Sequence, residues 1–372
     1  MENAIIKLRK KSIEGMLKSP VKTASAVNLV YVNDTLPGIE RLKRGKKVEY
    51  ILKGSKIKDK QVLQRIKSLV IPPAWENVWI CVLENGHLQA TGIDIKKRKQ
   101  YKYHKIWNAA RNQTKFYRLH EFGKTLTKIR KHLQEDLSLP GLPLEKVLAA
   151  VVSLMEVTNI RVGNNAYEKL YGSFGITTLK DRHVSISKNQ VRFIFKGKRG
   201  IQHDISIKNK RLATIVKKCR DIPGKELFQY YDDEGERRSI DSGMINEYIK
   251  RISEGEFSAK DFRTWSGTIH AYRAFSKLGL FETMAEGKKK VAEAFDIVSK
   301  QLGNTRTVCK KYYVHPIIIS LYEKKELEKY LLNTYQPEDN NILSELSAEE
   351  KIVMEILESN SNKLYGIDTT SF

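Results

Sequence analysis

Cysteine is scarce in this chain of 372 residues, and its three cysteines, Cys81, Cys219 and Cys309, lie far apart without a CxxC pair. A disulfide framework and a zinc site both need grouped cysteines, so the sequence supports neither. The eight histidines show no HExxH or comparable spacing. We therefore expect no metal and no cofactor.

Long apolar runs are also missing. No stretch of 18 apolar residues occurs, and the first 20 residues are basic without a continuous apolar segment. These absences predict a cytoplasmic protein that neither spans a membrane nor is exported.

Two short motifs resemble ligand sites but lack essential parts. Residues 123–125 read Gly-Lys-Thr, yet Arg118 stands where a nucleotide-binding loop requires its first glycine. The acidic residues at 232–236 surround Gly235 and are typical of a solvated turn. Neither ATP nor a divalent ion is therefore expected.

Acidic residues are outnumbered. The chain has 67 Lys and Arg against 43 Asp and Glu, a formal net charge of +24. Such an excess favours a nucleic-acid partner, because cations that neutralise phosphates release condensed counterions. General solubility, an acidic protein or a membrane surface would be alternative explanations.

The pattern of apolar and turn residues predicts an α+β chain, with a small β-rich domain before a larger, mainly helical catalytic domain. Strands are expected near 29–32, 48–52, 78–83 and 87–91, with one helix at 60–68. The predicted domains are a basic arm (1–26), a β-rich DNA-clamping domain (27–105), a basic linker (106–125), a catalytic domain (126–331) and an acidic tail (332–372).

Within the catalytic domain, apolar periodicity predicts helices at 126–137, 147–157, 245–252, 265–280 and 286–302. Two linked hairpins are expected between 183 and 207, with Lys198 at a tip between two glycines. In the tail, Ser347 and Glu350 form a capping-box pattern before a short helix. That tail could pack on the body or cover the basic surface.

Residues 96–118 combine nine Lys or Arg with five aromatic residues and no acid. A charge run is often just a solvated face. Cations interleaved with flat rings are better suited to holding a phosphate backbone while touching sugars and bases. This segment is therefore expected to contact DNA.

Cleavage of a phosphodiester without a metal needs a nucleophile, cations that neutralise the non-bridging oxygens, and an acid for the leaving oxygen. Tyrosine, arginine and lysine can fill these three roles, and clustered cations favour the deprotonated forms of tyrosine and lysine. The segment LGNTRTVCKKYYVHP (302–316) offers two adjacent tyrosines, Tyr312 and Tyr313. Spacing alone does not select among 17 tyrosines and 67 basic residues.

Several segments in the same order resemble the type IB DNA topoisomerases of the compact bacterial and poxvirus-like kind. They are LMEVTNIRVGNNAY, FKGKRG, AKDFRTW and LGNTRTVCKKYYVHP, preceded by IPPAWENVWIC, NGHLQATG and RKQYKYH. The resemblance covers roughly 27–325 and includes neither the arm nor the tail. It implies a monomer that clamps duplex DNA and relaxes supercoils through a 3′-phosphotyrosyl intermediate and religation by the 5′-hydroxyl, without ATP or metal.

The resemblance also implies roles for five residues. Arg161 and Arg263 would clamp the scissile phosphate, and Lys198 would be the general acid for the 5′ oxygen. Asn304 would donate a neutral hydrogen bond where poxvirus relatives carry histidine. Tyr313 would be the nucleophile.

Adjacent helical residues point about 100° apart, so only one tyrosine of the pair can face the phosphate. Tyr312 is then expected to be a packing or surface residue. Asn164 stands where poxvirus enzymes place a base-reading lysine, so a poxvirus-like sequence preference is not expected. Six further residues are expected to contact DNA: Gln100, Tyr101, Tyr103 and Arg111 in the N-terminal half, and Tyr167 and Lys260 on the catalytic domain.

Two other functions remain open from the sequence. A tyrosine recombinase or integrase shares the same Arg, Lys and Tyr chemistry, although its usual helical DNA-binding arm and histidine-rich site do not match this chain. A non-enzymatic DNA-binding protein would explain the net charge without using Tyr313.

Overall fold

The computed structural model describes residues 15–16, 19–44, 47–331 and 344–360. Most of the expected basic arm, and residues 332–343 and 361–372 of the expected tail, lie outside these ranges. The chain divides into two compact units, with the boundary between Arg118 and Leu119. Within the described ranges, none of the helices combines the length and hydropathy needed to cross a lipid bilayer.

The first unit contains an antiparallel six-stranded sheet in the order β3-β2-β1-β4-β5-β6. The β-rich character expected of the N-terminal half is thus confirmed. Its elements are α1 (Pro20–Ala26), β1 (Ile39–Arg44), β2 (Lys47–Leu52), β3 (Ser55–Lys56), α2 (Lys60–Ser68), β4 (Glu76–Ile80), β5 (Leu88–Ile93) and β6 (Lys99–Tyr103).

Helix α2 has the bounds that the sequence predicted. The Asp59 side chain caps it by accepting hydrogen bonds from the backbone N–H groups of Gln61 and Val62. Its buried Ile66 packs with Ile39 and Ile80 of the sheet. The expected strand at 29–32 is reduced to one isolated bridge between Val30 and Gly86.

Helix α1 occupies the end of the segment that the sequence assigned to the arm. Pro20 takes its first position and the Ser19 hydroxyl accepts from the Lys22 N–H, a combination that favours helix initiation. Ala24 and Val27 pack in one cluster with Trp107. This part of the predicted arm is therefore packed structure.

Helix α3 (Lys105–Ser138) includes all of the segment expected to be a linker. Its interior holds Gly123-Lys124-Thr125, so these residues form no phosphate-binding loop. Trp107 and Phe116 are only 2% and 6% exposed. Within the segment expected to contact DNA, these two aromatic residues are held in the core by hydrophobic burial.

The second unit surrounds α4, a helix in which every residue from Val147 to Met155 is buried. Helix α4 packs against α6, α7 and α8. The elements are α4 (Leu144–Thr158), α5 (Asn165–Tyr171), β7 (Val184–Ser187), β8 (Gln190–Lys196), β9 (Gln202–Lys208), α6 (Lys210–Arg220), β10 (Gln229–Tyr231), β11 (Arg237–Ser239), α7 (Ser242–Ser253), α8 (Ala259–Leu278), α9 (Met284–Leu302), α10 (Arg306–Tyr312), α11 (Pro316–Glu323) and α12 (Ala348–Ser359).

Helix α12 packs on the second unit. Ser347 and Glu350 form the predicted capping box. The Glu350 carboxylate accepts from both terminal nitrogens of Arg130, at 2.9 and 2.8 Å, and from Trp265 Nε1 at 2.9 Å. For residues 344–360, the alternative in which the tail packs on the body is therefore confirmed.

Candidate active site

Arg161 follows the C-terminal end of α4. Asn159 ends that helix in the left-handed conformation, with φ 57°, which redirects the chain. Arg161 Nη2 donates to the Gly303 carbonyl at 2.9 Å and to Asn304 Oδ1. These hydrogen bonds connect the turn after α9 to the turn after α4.

Arg263 projects from α8 into the same region and is only 6% exposed. Its Nη2 donates to the Leu302 carbonyl at 2.8 Å, and its Nη1 donates to the Asn159 carbonyl. Both arginines are thus held by backbone carbonyls at the ends of α4 and α9. This anchoring fixes the guanidinium groups without a carboxylate partner among the described residues.

Tyr313 lies directly after α10, between two helices. Its backbone N–H donates to the Cys309 carbonyl at 2.9 Å, and His315 caps α11, which begins at Pro316. The Arg263 guanidinium carbon is 5.3 Å from the centroid of the Tyr313 ring. Tyr312, by contrast, is 39% exposed, so the two neighbouring rings have different surroundings.

Helix α8 approaches the Tyr313 backbone closely at a glycine. A Cβ added to Gly267 would lie 2.5 Å from the Tyr313 carbonyl oxygen. One residue further on, buried Thr268 accepts a hydrogen bond from the His315 N–H at 3.1 Å. The helix that carries Arg263 therefore also fixes the chain on either side of Val314.

Lys198 is exposed in the short turn between β8 and β9, where Arg199 adopts φ 63°. Partial burial of its ammonium group and the nearby charge of Arg161 lower the pKa of Lys198, and Arg199 and Arg263 act in the same direction. A lysine in this environment gives up its proton more readily than a free one.

His203 links this turn to the rest of the site, and the sequence analysis did not identify it. Its ring stacks on Phe195 with centroids 4.9 Å apart. A Cβ at Gly197 would lie 2.6 Å from His203 Cδ2, and one at Gly303 would lie 2.6 Å from His203 Cε1. Burial and the charges of Arg161 and Arg263 lower the pKa of His203, which favours its neutral form. No local spacing rule would have identified such a contact between two turns.

The positive charge of the site has no anionic partner among the described residues. Across the described ranges, no carboxylate lies within ion-pair distance of Arg161, Lys198 or Arg263. Burial and the charge of Arg263 lower the pKa of Arg161 to about 10, and burial also lowers that of Arg263. A cation cluster of this kind, with Arg263 buried at its base, favours binding an anion.

Two buried donors in the same place have no hydrogen-bond partner among the described residues. They are Arg263 Nε and Asn304 Nδ2. An unpaired buried donor costs free energy, on the order of 1–3 kcal/mol, and such groups concentrate at functional sites. Asn304 does not cap α10, since the Thr305 hydroxyl does so by accepting from the Val308 N–H.

The structure brings the five catalytic candidates together in the second unit. Within the described residues, no group of three or more His, Cys, Asp or Glu side chains is placed to hold a metal ion. The acidic residues at 232–236 form the turn between β10 and β11, where Asp232 pairs with Arg238 at 2.8 Å.

The DNA-contact candidates are divided between the two units. In the first unit, Tyr101 is 48% exposed and stacks on Tyr103, with ring centroids 6.0 Å apart. Gln100 Nε2 donates to Asp94 at 2.9 Å, and the Arg111 guanidinium carbon lies 6.0 Å from the Trp107 ring centroid.

In the second unit, Tyr167 on α5 is 41% exposed, and Lys260 is exposed in the first turn of α8. Asn164 caps α5, because its Oδ1 accepts from the Tyr167 N–H at 3.1 Å. Its side chain is therefore engaged in helix initiation.

Comparisons with known proteins agree on one family. Residues 97–336 match the family model for the catalytic core of eukaryotic DNA topoisomerase I, and residues 50–94 match that for the N-terminal domain of bacterial DNA topoisomerase IB. The chain is 33% identical over 300 residues to DNA topoisomerase 1B of Acanthamoeba polyphaga mimivirus, covering 77% of this chain and 88% of the relative. It is 26% identical over 275 residues to DNA topoisomerase 1B of vaccinia virus (strain Copenhagen), covering 71% and 82%.

A solved structure of XerH site-specific recombinase bound to palindromic difH substrate is also similar. It has 12% identity and a TM-score of 0.34, covering 55% of this chain and 50% of the recombinase chain. Similarity this low does not distinguish a topoisomerase from a recombinase.

Proposed function

Because this chain belongs to the type IB DNA topoisomerase family, we propose that it relaxes supercoiled duplex DNA through a transient covalent bond between Tyr313 and one DNA strand. The position of the Tyr313 ring beside the Arg263 guanidinium supports this assignment. Arg161 and Arg263 hold the scissile phosphate, Asn304 donates a hydrogen bond to it, and Lys198 protonates the leaving oxygen.

The reaction exchanges one phosphate ester for another. The Tyr313 hydroxyl gives up its proton to solvent, its oxygen attacks phosphorus, and the bond to the 5′ oxygen breaks. That oxygen takes the electron pair and a proton from Lys198, which leaves a 3′-phosphotyrosyl bond and a free 5′-hydroxyl. Strand rotation follows, and attack by the 5′-hydroxyl reverses each step.

The two unpaired buried donors give this proposal its strongest support. A phosphodiester carries one negative charge, and the transition state for attack by a phenolate carries two. Cations and donors fixed in advance therefore stabilise the transition state more than the bound substrate. Arg263 Nε and Asn304 Nδ2 are the groups here whose hydrogen-bonding capacity a phosphate oxygen would satisfy.

We also propose that the protein acts as a monomer that closes around duplex DNA, in the cytoplasm at the nucleoid. The net charge of +24 and the exposed Tyr101 and Tyr167 support DNA contacts by both units. Sedimentation of the protein with and without a short duplex would test this. A stable dimer on one duplex would contradict it.

The decisive experiment traps the protein on a nicked suicide duplex with denaturant and maps the modified residue by mass spectrometry. We expect DNA on Tyr313, no adduct for Tyr313→Phe, and a normal adduct for the matched variant Tyr312→Phe. Relaxation of a plasmid that lacks any recombination site excludes a recombinase. Absence of an adduct and of relaxation in the wild type would leave a non-enzymatic DNA-binding protein.

A further inference from the structure

A buried asparagine forms the bend between α4 and Arg161. Asn159 is 8% exposed and adopts a left-handed conformation, with φ 57° and ψ 17°. Its carbonyl accepts from Arg263 Nη1, and its side-chain Nδ2 lies 3.3 Å from Nε2 of His270. Both partners are on α8. Asn159 is therefore hydrogen-bonded to that helix through its backbone and through its side chain.

The His270 ring is a neutral hydrogen-bond partner. Burial and the charge of Arg273 lower the pKa of His270 to about 4, so the ring carries no charge at neutral pH. A neutral imidazole has one ring nitrogen without a proton, and Nε2 in that form accepts from Asn159 Nδ2. At neutral pH the pair is therefore intact.

The two partners of Asn159 lie on one face of α8. His270 follows Arg263 by seven residues, which is close to two helical turns. On the α4 side, the Thr158 hydroxyl donates to the Leu154 carbonyl at 2.5 Å and accepts from the Ile160 N–H at 3.3 Å. These local hydrogen bonds set the shape of the bend, and the pair with His270 connects the bend to α8.

We propose that His270, acting through the Asn159 side chain, is a positioning residue for Arg263. This inference rests on the proposed function, in which Arg263 holds the scissile phosphate. The Arg263 guanidinium has two backbone anchors, the carbonyls of Asn159 and Leu302. While the Asn159 amide is held, its carbonyl stays directed at Nη1. Release of the amide lets the bend rotate, and a misplacement of about 1 Å in such a group can slow a reaction 10²-fold.

The test compares three substitutions of His270 in single-turnover cleavage of a suicide duplex at saturating DNA. His270→Ala removes the acceptor and should be about 10- to 100-fold slower. Its dissociation constant for the duplex should change less than about twofold, because many phosphate contacts share the affinity. His270→Gln places an amide oxygen near the position of Nε2 and should restore the rate to within about threefold. His270→Asn is equally polar but one methylene shorter, and it should stay as slow as the alanine variant.

A double-mutant cycle separates positioning from a general loss of packing. With Arg263→Ala there is no guanidinium to position, so adding His270→Ala should slow cleavage less than about twofold further. Asn159→Gly is an independent variant, because glycine adopts the left-handed backbone without strain and only the amide is lost. It should match His270→Ala. The control is Asn28→Gly, at an exposed residue with φ 56° just after α1, which should cleave like the wild type. Thermal melting confirms the folding of each variant.

Three results would overturn the proposal. One is cleavage by His270→Ala at the wild-type rate. Another is equal slowing by all three His270 substitutions, since this would indicate packing of the ring. The third is the full loss on top of Arg263→Ala, because the effect would then not pass through the guanidinium.

Failure of the proposed function would look different, because the wild type would form no adduct on Tyr313. Binding of inorganic phosphate, measured by calorimetry, then tests the pair without cleavage, and the binding that Arg263→Ala abolishes belongs to this site. That affinity should fall about fivefold in His270→Ala and recover in His270→Gln. Unchanged affinity in the alanine variant, or no such binding by the wild type, would overturn the proposal.

Discussion

At the scale of single residues, Lys198 can act as an acid only while it holds its proton. Its pKa is lowered by partial burial and by Arg161, so the protonated fraction falls at a lower pH than for a free lysine. Single-turnover cleavage should therefore decline as pH rises through this lowered pKa. Lys198→Ala should be about 10²- to 10⁴-fold slower and should lack that decline.

Lys198→Arg is the matched control, since arginine keeps its proton throughout this range. Its cleavage rate should be reduced, but its alkaline decline should move to higher pH. The same alkaline decline in Lys198→Ala and in the wild type would assign the titration to another group.

Asn304 gives a second prediction at this scale. Its Oδ1 accepts a hydrogen bond from Arg161, and its Nδ2 has no hydrogen-bond partner among the described residues. Asn304→Ala removes one donor and should slow cleavage about 10- to 100-fold. Asn304→Asp also places a carboxylate beside the phosphate and should slow it more, about 10²- to 10³-fold. Cleavage at saturating DNA, with thermal melting as a control for folding, measures both. An aspartate variant faster than the alanine variant would contradict the proposed role.

From the sequence alone, the amino-acid types of the catalytic residues could be predicted better than their positions in the chain. Tyrosine, arginine and lysine follow from the chemistry of phosphodiester transfer, but choosing Tyr313 over Tyr312 required the family resemblance. The structure supplies the physical difference, an exposed ring against one beside a guanidinium. His203 could not have been predicted, because its contacts join two turns about 100 residues apart in sequence.

At the scale of elements, the close approach of α8 to the chain at Tyr313 predicts a strong effect of one methyl group. Gly267→Ala would place Cβ 2.5 Å from the Tyr313 carbonyl oxygen, so the turn must move. A misplacement of about 1 Å can cost 10²-fold in rate. We expect a loss of this size in single-turnover cleavage.

Gly287→Ala on α9 provides the comparison, because its Cβ would lie 2.8 Å from the ring of Phe281, which precedes that helix, and its nearest contacts do not include Tyr313. It should lower the thermal midpoint without a specific loss of cleavage by the folded enzyme. Equal cleavage rates for the two variants would show that the approach at Gly267 does not position Tyr313.

Helix α12 gives the second prediction at this scale. Glu350→Gln removes the charge that pairs with buried Arg130, which keeps Glu156 at 2.8 Å as a partner. Loss of one member of a buried ion pair is costly, and we expect about 3 kcal/mol lower free energy of unfolding. Exposed Glu355 on the same helix is the control, and Glu355→Gln should change stability by about 0.5 kcal/mol or less. Urea denaturation compares them, and equal midpoints would contradict the inference.

Elements were predicted well where their pattern is local. Helix α2, the hairpins between 184 and 208, and the apolar face of α9 all follow from periodicity and turn residues. The continuity of helix α3 through the predicted linker at 106–125 was not foreseen, because its basic first half looks like a solvated segment. The packing of α12 was undecidable from the sequence, since its buried partner Arg130 is 220 residues away.

At the scale of the whole molecule, a net charge of +24 predicts strongly salt-dependent binding. If six or more phosphates are contacted, affinity should fall at least about 10³-fold between 50 and 200 mM salt. Fluorescence anisotropy with Tyr313→Phe on a short duplex measures this. Affinity that is independent of salt would argue against phosphate-dominated binding.

The proposed transesterification also predicts independence from added factors. Relaxation should proceed at the same rate with excess chelator and without nucleotide, since one phosphate ester directly replaces another. Supercoil relaxation followed on gels tests this. Complete loss of activity in chelator would contradict the mechanism.

The ring of His203 lies between the backbone of Gly197, which precedes Lys198, and that of Gly303, which precedes Asn304. Because the ring fills the space between the two turns, a displacement of one is expected to move the other. In the proposed mechanism, this contact couples release of the 5′ end to retention of the 3′ end.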